Sequence, residues 1–136
     1  MLAYGVDVHE PAISAARRNA LLNGVGACSN FGYAWELPSK LKADIAVANM
    51  MPGPLISVAP DLITRTRPGG LLLISGFREA DVPAVRAALE PYFDMPDVPA
   101  VTRVGRADEA SGNWIGYECR RTESSYDISA MSESAL

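Results

Sequence analysis

The 136 residues carry 49% hydrophobic and 21% charged side chains with a net charge of −4, values that fit one soluble globular domain. Scattered Lys and Arg exclude the basic footprint of a nucleic-acid binder, and no apolar run approaches the roughly 18 residues of a membrane span. Two distant cysteines and one histidine, His9, support neither a disulfide framework nor a zinc site. The N-terminus has no charged-then-apolar signal pattern, so the expected location is the cytoplasm, or an organelle matrix if a targeting segment lies upstream. In either place Cys28 and Cys119 are expected as reduced thiols.

Residues 2–8 read as a short strand with Asp7 at its carboxyl end. Glu10-Pro11 starts a helix, since proline at the first helical position has no N–H to lose. Ile13, Ala16, Ala20 and Leu21 form its apolar face, Arg17, Arg18 and Asn19 face water, and Asn23-Gly24 stops it. Residues 27–35 are ambiguous, although Phe31, Tyr33 and Trp35 alternate as in an edge strand. Residues 44–48 are too short and too apolar for anything but a strand buried on both faces, central to a parallel sheet, and that strand delivers Asn49 to its end before Pro52-Gly53-Pro54 breaks it.

Leu55, Val58, Ala59, Leu62 and Ile63 mark a helix that Pro60 kinks or splits. Residues 67–70 read as a turn, and residues 71–75 as a second buried strand ended by Gly76. Val82, Val85, Leu89 and Phe93 place a helix over residues 79–92. Residues 98–104 and 113–119 form a C-terminal antiparallel hairpin, and the Ser-rich residues 122–136 are expected to be disordered. The order is that of a doubly wound α/β fold.

In such sheets ligands bind outside the carboxyl ends of the strands, which singles out Asp7 and Asn49. A carboxylate at Asp7 offers two oxygens to a vicinal diol such as a ribose; a helix-start aspartate is the plainer alternative. Asn49, with the carbonyls of Met50 and Met51, can hold an amine or an adenine edge, or else bond its own backbone in a turn. Met50 and Met51 themselves read as packing residues. Ser75-Gly76 faces the same crevice, either allowing close backbone approach or simply making a turn. Trp114 lines a substrate channel or fills the core, and His9 reads most plainly as an exposed loop residue. Nothing resembles a nucleophile–base pair, paired carboxylates or a metal cluster. Methyl transfer from a sulfonium needs none of these, because the leaving group is already activated and the site mainly aligns donor and acceptor.

At these residues the chain resembles a class I S-adenosylmethionine-dependent methyltransferase, and more narrowly the ribosomal protein L11 methyltransferase (PrmA-like) family. The matching pieces are Gly5-Val6-Asp7-Val8, Asn19-Ala20, Asn23-Gly24, the run from Lys42 to Asn49, Gly53-Pro54-Leu55, Ala59-Pro60, and Pro68-Gly69-Gly70-Leu71 through Ser75-Gly76. The resemblance implies a Rossmann-like domain over residues 1–121 that lacks its first strand and ends in the antiparallel hairpin. It implies S-adenosyl-L-methionine as methyl donor, Asp7 on the donor's ribose, and Asn49 as the catalytic residue, in contact with both donor and acceptor. The acceptor is then a protein amine of the ribosomal-protein type, with no direct nucleic-acid binding and no membrane. An open sheet edge offers a surface for self-association.

The departures are a missing Gly-rich donor loop and a missing N-terminal recruiting domain. His9 replaces an acidic residue, and Met50-Met51 replaces a branched aliphatic pair. Activity is therefore expected to be incomplete in this chain. Two rivals remain open: a nicotinamide-dependent α/β oxidoreductase fragment, since Asp7 suits that ribose equally well, and a non-catalytic truncated domain.

Overall fold

The computed structural model describes residues 2–103 and 113–123. They belong to two units, Met1–Leu41 and Lys42–Leu136.

In the first unit β1 (Ala3–Val6) and β2 (Ser29–Gly32) pair in parallel, joined through α1 (Glu10–Leu22). Gly5 lets the strands and their side chains close up: the Phe31 ring lies 2.6 Å from where a β-carbon at residue 5 would stand. α1 starts with Glu10 and Pro11 in its first turn and ends at Asn23, whose N–H bonds the Asn19 carbonyl. Its buried stripe is narrower than the sequence predicts. Ile13 and Ala20 are buried, whereas Leu21 is 75% exposed. Arg17 is exposed as expected, one turn from Ile13, and donates from Nε and Nη2 to the Phe31 carbonyl at 3.0 and 2.7 Å. The aromatic alternation of residues 31–35 also misleads: the strand stops at Gly32, and Ala34–Glu36 forms one 3₁₀ turn. Tyr33 and Trp35 stack there, ring centroids 4.4 Å apart.

The second unit is a mixed sheet in the order β3 (Ala43–Asn49), β4 (Thr66–Arg78), β7 (Trp114–Arg121), β5 (Phe93–Asp94), with β6 (Val101–Arg103) also on β7. β3 and β4 are parallel; the pairings to β7 are antiparallel, as the expected hairpin requires. The helices are α2 (Pro52–Ser57), α3 (Ala59–Arg65) and α4 (Val82–Leu89). Pro60 sits in the first turn of α3, so of the expected kink or split the structure shows the split, at Val58. Leu55 of α2, Ile63 of α3 and Val85 of α4 share one core with Leu72, Phe77 and Tyr117 of the sheet. The stacked Phe77 and Tyr117 rings, 6.3 Å apart, add geometry to that core.

Three expectations need correction. β3 is an edge strand of its sheet and only Ala48 is well buried, with Ile45 57% and Val47 70% exposed. An all-apolar run records a residue's composition, not what lies over each face. The turn at residues 67–70 is a loop inside β4, bulging between the pairs Ala43–Thr66 and Ile45–Leu71. β4 also does not end at Gly76. It bulges there and runs on to Arg78, pairing Phe77 with Ile115 and Arg78 with Trp114.

The tail begins later than residue 122, because the Thr122 N–H and Oγ1 both donate to the Tyr92 carbonyl at 3.0 Å. The rest of the expected disordered segment, from 124, and the hairpin's connecting residues 104–112 lie outside the described residues. Among the described residues no helix is long and apolar enough to cross a membrane.

Candidate functional site

β3 carries Asn49 to its carboxyl end opposite Ser75 of β4, and the Met50 N–H extends the ladder by bonding the Ser75 carbonyl at 3.0 Å. The chain then leaves the sheet, because Pro52 opens α2. Gly76 follows Ser75 with φ +94°, a conformation that costs glycine little and other residues much. That bulge brings the Gly76 backbone against the Asn49 amide and the Met50 peptide.

A cavity of about 780 Å³ opens beside them, lined among others by Asn49, Met51, Ser75, Gly76, Arg103 and Trp114. Its floor belongs to the sheet positions that alternate with the core: Val47 and Leu73 line it, while Leu72 is buried in the core. The walls are mostly apolar, and Asn49 and Ser75 supply an amide and a hydroxyl at the strand ends. Of the two readings of Trp114, the structure favours the lining one: the indole is half-buried at the cavity and does not belong to the core. Met50 packs on the core and Met51 is exposed.

Asp7 lies in the first unit, one residue past β1, where its N–H bonds the Gly32 carbonyl at 3.3 Å. Its Oδ1 accepts the His9 N–H at 2.9 Å and faces the His9 Nδ1 at 3.2 Å. The His9 backbone N–H first, and its side chain second, hold the Asp7 carboxyl below its usual 3.8. The group is thus an exposed carboxylate at a strand end, ionised at neutral pH and suited to a pair of hydroxyls. His9 is exposed as expected, yet it orients Asp7.

The Tyr33–Trp35 stack at the neighbouring strand end escaped the sequence reading. Its only trace was an i, i+2 aromatic spacing, which also describes a strand. The Tyr33 hydroxyl donates to Glu10 Oε2 at 3.2 Å; desolvation first, then this carboxylate, pushes its pKa up.

The family described as ribosomal protein L11 methyltransferase (PrmA) matches residues 1–102. A ribosomal protein L11 methyltransferase of Pseudomonas aeruginosa is 40% identical over 120 residues, covering 88% of this chain and 37% of that protein. One from Shewanella halifaxensis is 40% identical over 96 residues, 71% of this chain and 32% of that protein. The chain therefore spans about a third of the length of these curated relatives. Among solved structures, the ribosomal protein L11 methylase of Lactobacillus delbrueckii subsp. bulgaricus superposes with a TM-score of 0.68 at 25% identity, over 89% of this chain and 58% of that one. The N-methyltransferase NodS of Bradyrhizobium japonicum, with S-adenosyl-L-homocysteine, gives 0.64 at 17% over 88% and 66%, a likeness of fold alone.

Proposed function

Because the chain belongs to the ribosomal protein L11 methyltransferase family, we propose that it serves methyl transfer from S-adenosyl-L-methionine to amines of a ribosomal protein, L11, in the cytoplasm. The observation that carries this reading is the Asn49 amide fixed against Gly76 at the mouth of an apolar cavity. The same family places methyl transfer ahead of nicotinamide chemistry.

The residues present fit such a donor. Asp7, an ionised carboxylate at a strand end, suits the two ribose hydroxyls, and the Tyr33–Trp35 surface beside it suits a planar ring. When bound, the donor supplies a methyl group on a sulfonium that leaves as a neutral thioether. The protein's own task is then to present a neutral amine in line with that carbon.

A lysine amine normally holds its proton up to about pH 10.4. The apolar walls at Val47 and Leu73 disfavour the ammonium form and lower that value. The Asn49 oxygen accepts a hydrogen from the amine and aims its lone pair, and the Met50 carbonyl provides a second acceptor. With the methyl carried to nitrogen and the donor's sulfur released as a neutral thioether, the chain's remaining part would be to let the surplus proton of the alkylated amine pass from the Asn49 oxygen to solvent.

Incubation of radiolabelled donor and purified L11 with the chain completed by the remaining residues of a full-length relative tests the reading. Label should enter L11, and Asn49→Ala should reduce it. No incorporation would overturn the activity, and incorporation unchanged in the variant would overturn the role of Asn49.

A further inference from the structure

The face of the second unit's sheet that carries Asn49 holds an acid among apolar neighbours. Cys119 of β7 is fully buried in the core, so Glu118 beside it projects to the other face, where it is exposed. Register sets Glu118 directly across from Leu73 of β4, and Leu73 directly across from Val47 of β3. All three line the cavity that holds Asn49. Two residues back along β7, Gly116 lies opposite Ser75, and Ser75 lies opposite Asn49. Two strands across and two residues along put the backbones of Asn49 and Glu118 about 12 Å apart.

The Glu118 carboxylate is unengaged: among the described residues no cation or N–H donor bonds to it. Arg120 stands two residues along the same face, yet its Nη1 donates to the Gly69 carbonyl at 3.0 Å, and it lies opposite Asp94 of β5. Arg103, the cation that lines the cavity, lies opposite Trp114. That is four residues along β7 from Glu118 and one strand over, roughly 14 Å away and beyond the screening length of about 8 Å at physiological salt. A mostly apolar floor therefore carries the Asn49 amide at one point and an unpaired anion at another.

We propose that Glu118 docks a lysine or arginine side chain that neighbours the acceptor amine in the protein substrate. The inference rests on the methyl-transfer reading for the amine held at Asn49, and charge complementarity chooses the occupant of Glu118. A long basic side chain lays its methylenes over Leu73 and Val101, which also lines the cavity, and brings its charge to the carboxylate. In an extended substrate, residues two and four positions apart share a face at about 7 and 13 Å. The basic neighbour accordingly lies two or four positions from the acceptor. An acidic residue in that place meets a like charge.

The test needs no methyl donor. Two fluorescein-labelled peptides carry a central lysine with arginine, or its uncharged analogue citrulline, two and four positions away. Each is titrated with the whole chain and followed by anisotropy. The arginine peptide should bind about three- to tenfold more tightly, and the preference should shrink in high salt. Glu118→Gln should remove the preference and melt as the parent does, since the residue is exposed. Asp61→Asn, on α3, takes away the same unit of charge elsewhere and should leave the preference intact. Equal affinity for the two peptides, including no measurable binding of either, would overturn the proposal. So would a preference that survives Glu118→Gln or falls as far in Asp61→Asn. Methyl transfer by the completed enzyme without charge preference sinks the role of Glu118 alone. Charge preference without methyl transfer sinks the catalytic reading and leaves the Glu118 site standing.

Discussion

Asn49 and Gly76 occupy one another's space: the Asn49 amide oxygen lies 2.7 Å from the point where a β-carbon at residue 76 would stand, with the Met50 N and O at 2.8 Å. The bulge in β4 is what allows this approach, and it makes a residue without a side chain the wall that holds the candidate catalytic amide.

Gly76→Ala should therefore do two things at once. Alanine at φ +94° carries backbone strain of about 1–3 kcal/mol, which lowers the thermal midpoint. It also displaces the Asn49 amide, so kcat/KM for L11 should fall at least as far as in Asn49→Ala, and the double variant should lose little more. A lowered midpoint with unchanged turnover would show that Gly76 serves the fold alone.

Asn49 itself is best probed by a pair of substitutions. In a full-length enzyme with the upstream segment restored, Asn49→Ala should lower kcat/KM about 5- to 150-fold, from a lost hydrogen-bonding partner worth about 1–3 kcal/mol, with little effect on melting because the residue ends its strand and is exposed. Asn49→Asp keeps an oxygen acceptor and removes the N–H₂ donor. Retention of most activity in the aspartate variant identifies the oxygen as the working atom; a fall equal to that of alanine identifies the N–H₂.

Asp7 gives a prediction with a definite sign. Its folded carboxyl titrates below 3.8, held there first by the His9 backbone N–H and then by the His9 ring. A depressed acid contributes stability above its unfolded value and loses that contribution as pH falls through the folded one. Carboxyl NMR titration should place Asp7 below 3.8 in the parent. In His9→Ala it should move back toward that value without fully reaching it, since the backbone N–H remains. An unchanged midpoint would remove His9 from the account.

The edge position of β3 separates two aliphatic truncations that sequence alone treats alike. Leu72→Ala empties a fully buried site and should cost about 2–5 kcal/mol in denaturant unfolding. Val47→Ala, on a side chain 70% exposed, should cost well under 1 kcal/mol. Comparable losses would mean that the exposed face of β3 is covered in solution.

Much of this architecture could be read from residues. Pro60 announced the break between α2 and α3, Asn23-Gly24 the end of α1, and the apolar runs at residues 44–48 and 71–75 the parallel pair. Asn49 was placed by the turn residues behind it. What escaped depends on the third dimension. Ile45 and Leu72 are both aliphatic strand residues, yet the helices of this unit cover only one face of the sheet. The bulge at Gly76 could not be told from a strand end, because glycine serves both. Val47, Leu73 and Glu118 stand far apart in sequence, and only the register of three strands makes them a row.

The two cysteines are free thiols, and their placement makes the chain its own reporter of opening. Cys28 lies exposed in the first unit, while Cys119 of the second is fully enclosed, its thiol pushed up to about 12 by burial. An alkylating reagent added to the native protein therefore marks Cys28 at once. It reaches Cys119 only in those moments when β7, the strand on which β4, β5 and β6 all lean, comes away from its neighbours. The ratio of the two labelling rates clocks how often that happens, with no added probe and no change of sequence.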